Sequence, residues 1–178
     1  WSPIAARLAG AFWPGPLRLI LPRLPASPLR LEVSAGLPTV ALRVPHPPLA
    51  EALLGAFDGP IAAPSANRSG FISPTAAAHV LAELAGRIPM ILDGGPCAIG
   101  LESTVLDLTG PQPIIRRPGA VTAALLAPVL GPVAVAPANT TPEAPQSSPG
   151  QLAQHYAPRT TAYRLAPADW PAALRRAA

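Results

Sequence analysis

The chain has 178 residues, enough for one sizeable core, or for one domain and the beginning of another. Hydrophobic residues make up 49% of it and charged residues 12%, which argues against a disordered or highly charged binding tail. The net charge is +4 and no basic run exceeds two adjacent arginines, which argues against a dedicated nucleic-acid surface.

The cysteine and histidine content limits the chemistry further. Cys97 is the single cysteine, so the sequence has no internal disulfide and is compatible with a reducing cytoplasm. His46, His79 and His155 are widely separated and lack metal-ligand spacing with Cys97, so no metal site is predicted. No apolar run reaches the roughly 18 residues of a membrane span, and we expect a cytoplasmic protein.

The first predicted helix begins at Ser2 and runs to about Ala9, because a hydroxyl residue followed by proline is typical of a helix start. W-P-G-P then interrupts the chain. Strands are predicted over 17–22 and 38–44. A helix follows Pro47, since four apolar residues share one helical face: Leu49, Leu53, Leu54 and Phe57.

The second half of the pattern alternates strands and helices. A helix is predicted over 75–85, with Gly86 ending it at the C′ position, and another over 122–130. Strands are predicted over 59–63, 88–92, 104–108, 113–116 and 133–136. This order predicts an α/β or α+β fold with helices against a central sheet.

The chain changes character near its end. Residues 137–159 are rich in proline, serine and threonine and have no periodic apolar face in their first part, as in a linker. Residues 160–178 show one strand-like and one helix-like stretch, too little to bury a core alone. They either pack on the main domain, residues 1–136, or begin a truncated second domain.

The loop A-P-S-A-N-R-S-G-F-I-S-P-T, residues 63–75, is dense in hydroxyl groups. With Ser73 as N-cap and Pro74 at the first helical position, the next two backbone N–H groups would be free at the positive end of a helix, which suits an anion. From S-P-T alone, an ordinary helix cap is favoured over ligand binding. Ser65 and Asn67 before Gly70 favour a phosphate or nucleotide, although no P-loop motif is present.

Two further features favour an anionic ligand. In D-G-G-P-C-A-I-G-L-E-S-T-V, two glycines follow a predicted strand and Ser103 leads into another, although a glycine-rich hairpin would read the same way. Arg43 and Arg117 lie at the ends of strand-like runs, where a guanidinium can pair with carboxylate or phosphate. Each arginine taken singly reads as a surface charge.

Three stretches resemble, in order, motifs of the YrdC-type threonylcarbamoyl-adenylate synthases: A-P-S-A-N-R-S-G-F-I-S-P-T, D-G-G-P-C-A-I-G-L-E-S-T-V-L-D-L and I-I-R-R-P-G-A-V-T. W-P-G-P-L and V-A-L-R-V-P are similar too, so the resemblance covers about residues 10–122. S-P-G-Q-L-A-Q-H-Y-A-P resembles the linker of the family's long form, which implies that 160–178 begin its C-terminal α/β domain. The implied main fold is a twisted, open sheet flanked by helices.

The resemblance implies a nucleotidyltransferase that joins L-threonine, bicarbonate and ATP into threonylcarbamoyl-AMP and pyrophosphate, with Mg²⁺ on the phosphates. The product would pass to the complex that transfers the group to tRNA, with at most weak RNA binding and no membrane. Carried over by position, the threonine pocket would comprise Arg43, Ala63 and Ser103. The ATP contacts would be Thr39, Ser65, Asn67, Ser73, Arg117 and, in the linker, Tyr156.

The chain departs from the family pattern in one respect. The family has a K-x-R motif N-terminal to W-P-G-P, and this lysine-free sequence contains none. We therefore expect the 178-residue polypeptide to be inactive or nearly so, and its full-length parent to be active. Two alternatives stay open: a non-catalytic RNA-binding or ribosome-maturation module, and the YrdC-domain carbamoyltransferase of hydrogenase maturation.

Overall fold

The structure, a computed structural model, describes residues 1–137 and residue 166. Its strands are β1 (Leu17–Pro22), β2 (Thr39–Leu42), β3 (Thr104–Asp107), β4 (Ile114–Arg117) and β5 (Ala134–Val135). Its helices are α1 (Pro3–Phe12), α2 (Pro48–Phe57), α3 (Ala77–Leu84) and α4 (Ala123–Leu130), with a short 3-10 helix at Leu31–Ser34. The predicted α/β class, an open sheet with helices, is confirmed.

The strands form one mixed sheet in the order β2-β1-β3-β4-β5. β1 runs antiparallel to β2 and parallel to β3, and β3 runs antiparallel to β4. β2 and β4 therefore point the same way, and their carboxyl ends lie beside the amino ends of β1 and β3. We call this end of the sheet the site end. It contains the residues that follow Leu42, the residues that precede Leu17 and Thr104, and Arg117 itself.

The core lies between one face of the sheet and two helices. Leu17, Leu19 and Leu21 alternate along β1 and are buried on the same side, as a period of two requires. Leu8 of α1 and Leu126 of α4, both with no exposed surface, close this core. Burying such side chains contributes about 1.5–3 kcal/mol each, so this layer holds the sheet together.

Helix starts that need only local chemistry match the prediction. The Ser2 side chain accepts a hydrogen bond from the Ala5 N–H at 3.3 Å, with proline at the first helical position. Thr122 caps α4 in the same way through the Leu125 N–H, at 3.3 Å. Gly86 follows the Ala85 cap of α3 with φ +73°, in the left-handed region that favours glycine.

The strands predicted over 59–63 and 88–92 are wrong. Neither segment has a neighbouring strand in the described sheet, whose edges are β2 and β5. Their apolar residues stay accessible, with exposures of 39% for Ile61, 70% for Met90 and 49% for Leu92. An apolar run becomes a strand only where another strand meets its hydrogen-bonding groups.

The described part of the chain contains no helix long and apolar enough to cross a membrane. The predicted linker, the C-terminal segment 160–178 and Tyr156 lie outside the described residues, apart from positions 137 and 166. The domain boundaries predicted from the sequence therefore stay predictions.

Candidate functional site

Arg43 lies at the site end, one residue beyond β2, where the W-P-G-P turn orients it. Its Nε donates a hydrogen bond to the Gly15 carbonyl at 2.9 Å, and the Gly15 N–H donates to the Val44 carbonyl at 2.8 Å. A Cβ at Gly15 would lie 2.3 Å from the Phe12 carbonyl oxygen, so the turn requires glycine there. The turn thus ties the arginine to the amino end of β1.

The charge of Arg43 is sensitive to two other groups at the site end. Burial lowers the pKa of Arg43 below its ordinary value, Glu102 raises it, and Arg117 lowers it further. The guanidinium remains a cation at neutral pH, since arginine is effectively always protonated. The charges of Arg43, Arg117 and Glu102 therefore influence one another at the site end.

Arg117, the last residue of β4, is the most constrained of these groups. The residue is 7% exposed. Its Nε and Nη2 donate to the Ser103 carbonyl at 3.1 and 2.8 Å, and Nη2 also reaches the Ser103 hydroxyl at 3.2 Å. Nη2 forms an ion pair with the Glu102 carboxylate at 3.3 Å. The buried charge of Arg117 is thus compensated by an anion and by hydrogen bonds, as a buried charge requires.

Close backbone approach makes this arrangement possible. A Cβ at Gly119 would lie 2.4 Å from the Glu102 carbonyl oxygen and 2.5 Å from the Thr104 nitrogen. Glycine in R-R-P-G therefore lets the segment after β4 lie against the start of β3. The buried Thr104 hydroxyl completes the contact by donating to the Val121 carbonyl at 2.8 Å and accepting from the Val121 N–H at 3.0 Å.

A cavity of about 300 Å³ adjoins the site end. It is bordered by the hydroxyl-rich loop, the start of α3 and the segment 91–102. Polar lining residues include Ser65, Ser73, Thr75, Asp93 and Glu102. The cavity is largely open to solvent, and its lining is mostly apolar with a few polar groups.

Ser73 does not cap a helix, and that prediction is wrong. Helix α3 begins at Ala77 with Ala76 as its N-cap. The Ser73 hydroxyl instead donates to the Glu102 carboxylate at 2.5 Å, a bond across 29 residues of sequence. The Thr75 N–H, expected to be free for an anion, contacts His79 Nδ1 at 3.3 Å. The helix-start anion site predicted from S-P-T is therefore not formed.

The remaining predicted site residues are placed unevenly. Ser65 lines the cavity, and Ala63 precedes it in the same exposed loop. Asn67 closes this loop by donating to the carbonyls of Arg68 and Phe71 at 3.0 and 2.9 Å. Thr39 pairs with Pro22 at the opposite end of β2 from Arg43, about 13 Å away along the strand, and does not line the cavity.

The sequence prediction missed Glu102. Its carboxylate bonds to Ser73 and Arg117 and raises the pKa of Arg43. One signal was available: Glu102 directly precedes Ser103 in L-E-S-T-V, and a buried arginine requires an anion. Which arginine it would meet depends on the register of β3 and β4.

Comparison with known proteins agrees with this fold. The model of the Sua5, YciO and YrdC family, described as "Telomere recombination", matches residues 1–119. The chain belongs to the Sua5/YciO/YrdC family. Within it, the chain is 49% identical over 154 residues to a threonylcarbamoyl-AMP synthase of Bacillus subtilis (strain 168), covering 86% of this chain and 44% of the relative.

A solved structure of the family is similar throughout the matched region. The crystal structure of Pyrococcus abyssi Sua5 complexed with L-threonine matches with a TM-score of 0.83 and 42% identity, over 89% of this chain and 46% of that one. E. coli YciO is more distant, at a TM-score of 0.58 and 28% identity, over 67% of this chain and 57% of that chain. The chain thus spans less than half the length of the Bacillus and Pyrococcus proteins.

Proposed function

We propose that the protein is a threonylcarbamoyl-AMP synthase, a nucleotidyltransferase that uses L-threonine, bicarbonate and ATP. Two relatives with that name support this assignment, at 49% and 43% identity, as does the similar Sua5 structure complexed with L-threonine. The observation that carries the proposal is local: Arg43, Glu102, Ser103 and Arg117 meet at one end of the sheet, beside a cavity lined by Ser65 and Ser73.

The reaction needs positioning more than acid–base chemistry. The threonine amine and bicarbonate form a carbamate with loss of water. A carbamate oxygen then bonds to the α-phosphorus of ATP, and the bond from that phosphorus to the bridging oxygen breaks as pyrophosphate leaves with the electron pair. Holding the two anionic reactants together supplies the rate enhancement, because orientation converts their encounter into an internal step.

The roles that we propose for the side chains are those that the family resemblance implies. Arg43 binds the threonine carboxylate, and Ser103 and the backbone near Ala63 complete that pocket. Ser65, Ser73 and Arg117 belong to the ATP side, Asn67 shapes the loop, and Thr39 and Tyr156 remain proposed ATP contacts. The threonylcarbamoyl group would go on to tRNA through a transfer complex.

Mg²⁺ would accompany ATP. No group of three potential ligands that could hold a metal occurs among the described residues. Mg²⁺ usually binds beside nucleotides through phosphate oxygens and water with one or two carboxylates. The ion would supply charge neutralisation on the triphosphate.

The test is pyrophosphate release from ATP by the protein with its natural ends. We expect release that requires both L-threonine and bicarbonate, with neither alone sufficient. Release that is indifferent to threonine, or no release with all three substrates present, would overturn the assignment. Omitting each substrate in turn is the control.

A further inference from the structure

Glu102 lies where two of the proposed ATP contacts meet. Its carboxylate accepts a hydrogen bond from the Ser73 hydroxyl at 2.5 Å and pairs with Arg117 Nη2 at 3.3 Å. Ser73 and Glu102 both line the cavity. One carboxylate therefore determines how the Ser73 hydroxyl is oriented toward a ligand.

A proton count gives that orientation a chemical consequence. A carboxylate paired with a guanidinium is ionised, and an ionised carboxylate only accepts hydrogen bonds. The Ser73 hydroxyl must then be the donor in its bond to Glu102. A hydroxyl has one proton and two lone pairs, so Ser73 has only lone pairs left to present to the cavity. It can bind a ligand hydroxyl or amino group, but not a phosphate oxygen.

The composition of the cavity wall agrees with this conclusion. Asp93 and Glu102 both line it, and the Glu102 carboxylate is paired with Arg117. The Asp93 carboxylate is held in place by the Gly95 N–H at 2.9 Å. Val80 and Ile91 supply apolar wall. Apolar wall and hydrogen-bond acceptors suit a base and a ribose.

We propose that Glu102 determines which part of the nucleotide this cavity accepts: by holding Ser73 as a hydrogen-bond acceptor, it selects the nucleoside and turns the triphosphate outward. Glu102 acts through Ser73 and is a positioning residue in this role. The inference rests on the proposed function, since it takes ATP as the ligand. It also replaces the anion site that S-P-T predicted at the helix start.

The experiment compares two halves of ATP as separate probes. Adenosine and inorganic tripolyphosphate are titrated calorimetrically into the protein with its natural ends, and the ratio of their affinities is determined for wild type, Ser73→Ala and Glu102→Gln. We expect the adenosine preference to fall about tenfold in both variants, the value of one lost hydrogen bond. In Glu102→Gln the amide can donate to Ser73, which frees the serine proton and removes a negative charge.

Ser34→Ala is the matched control. Ser34 ends the 3-10 helix, its hydroxyl donates to the Leu31 carbonyl at 3.1 Å, and it does not line the cavity. The same substitution there should leave the ratio unchanged. A general loss of structure in a variant lowers both affinities together, so the ratio separates a positioning role from a merely structural one.

The outcomes are distinct. A fall of about fivefold or more in both variants supports the role of Glu102. A smaller fall in either variant, a rise, or a wild type that binds ATP but not adenosine overturns it. If the wild type still releases pyrophosphate with threonine and bicarbonate, that result leaves the proposed function intact. A wild type that binds no ATP overturns both the role of Glu102 and the proposed function.

Discussion

Two regions of the molecule differ in how their apolar residues are covered. Every buried residue of the described chain lies in 1–21 or 103–137, which we call the core segments. The middle segment, 22–102, has none, although α2 and α3 carry leucines on regular helical faces. The comparison shows that an apolar pattern predicts a helix but not what covers it. The candidate site lies between the two regions, with Arg117 from the core segments and Ser73 from the middle segment.

The largest expected effect tests this difference directly with two leucines. Leu106 in β3 has no exposed surface, whereas Leu81 in α3 is 57% exposed. Leu106→Ala should lower the free energy of unfolding by about 2–5 kcal/mol, because it removes buried contacts and leaves a cavity. Leu81→Ala should change it by less than about 0.5 kcal/mol. Urea denaturation monitored by tryptophan fluorescence measures both.

Equal losses of unfolding free energy in the two variants would contradict the difference between the core segments and the middle segment. They would mean that in solution α3 is covered by something outside the described contacts. A small loss for Leu106→Ala would contradict the position of the core itself.

A buried hydroxyl gives an intermediate effect. The Thr104 hydroxyl exchanges two hydrogen bonds with the Val121 backbone, at 2.8 and 3.0 Å, and is fully buried. Thr104→Val keeps the shape but leaves a buried N–H and carbonyl unpaired, which should cost about 1–3 kcal/mol of unfolding free energy. Thr104→Ser keeps the hydroxyl and is the control. If both variants lose the same stability, the hydrogen bonds are not the cause.

The smallest effect depends on pH. Burial by itself raises the pKa of Asp107, but hydrogen bonds from Thr109 and Arg116 outweigh it and hold the pKa below its ordinary value of 3.8. A lowered folded-state pKa stabilises the protein above the unfolded-state value and loses that contribution as pH falls through the folded-state value. Asp107→Asn should therefore destabilise at pH 7, and the difference from wild type should shrink as the pH falls below about 4.

An exposed ion pair in the middle segment is the matched control. The hydrogen bond from Arg30 lowers the pKa of Glu32, but both side chains are largely in water, at 82% and 71% exposure. Solvent and salt screen such a pair, so Glu32→Gln should have a smaller acid dependence than Asp107→Asn. Equal acid dependence in both variants would show that burial does not distinguish the two regions.

The elements that the sequence predicted correctly are those whose boundaries depend only on residues nearby in the sequence. β1 matches its prediction at both ends because Leu17, Leu19 and Leu21 alternate between two proline-containing breaks. The α1 and α4 starts match because Ser2 and Thr122 need only their own backbone neighbours as partners. In such segments propensity, pattern and capping all favour the same structure.

The wrong predictions concern residues whose structure depends on partners far away in the sequence. Segments 59–63 and 88–92 have strand-like composition, but no local pattern states whether a neighbouring strand exists. Ser73 has the pattern of a cap, yet its hydroxyl binds Glu102, 29 residues away. Arg43 and Arg117 were predicted at strand ends, but only the β2-β1-β3-β4 order brings those ends together. Tertiary arrangement decided each case.

The most direct test of the central claim, that the site end binds an amino acid beside a nucleotide, is calorimetry of Arg43→Ala. The variant should bind L-threonine about 2 kcal/mol more weakly, roughly thirtyfold, because a charge-assisted carboxylate contact is lost, while its affinity for ATP stays nearly that of wild type. Equal weakening of both ligands, or unchanged threonine binding, would contradict the account.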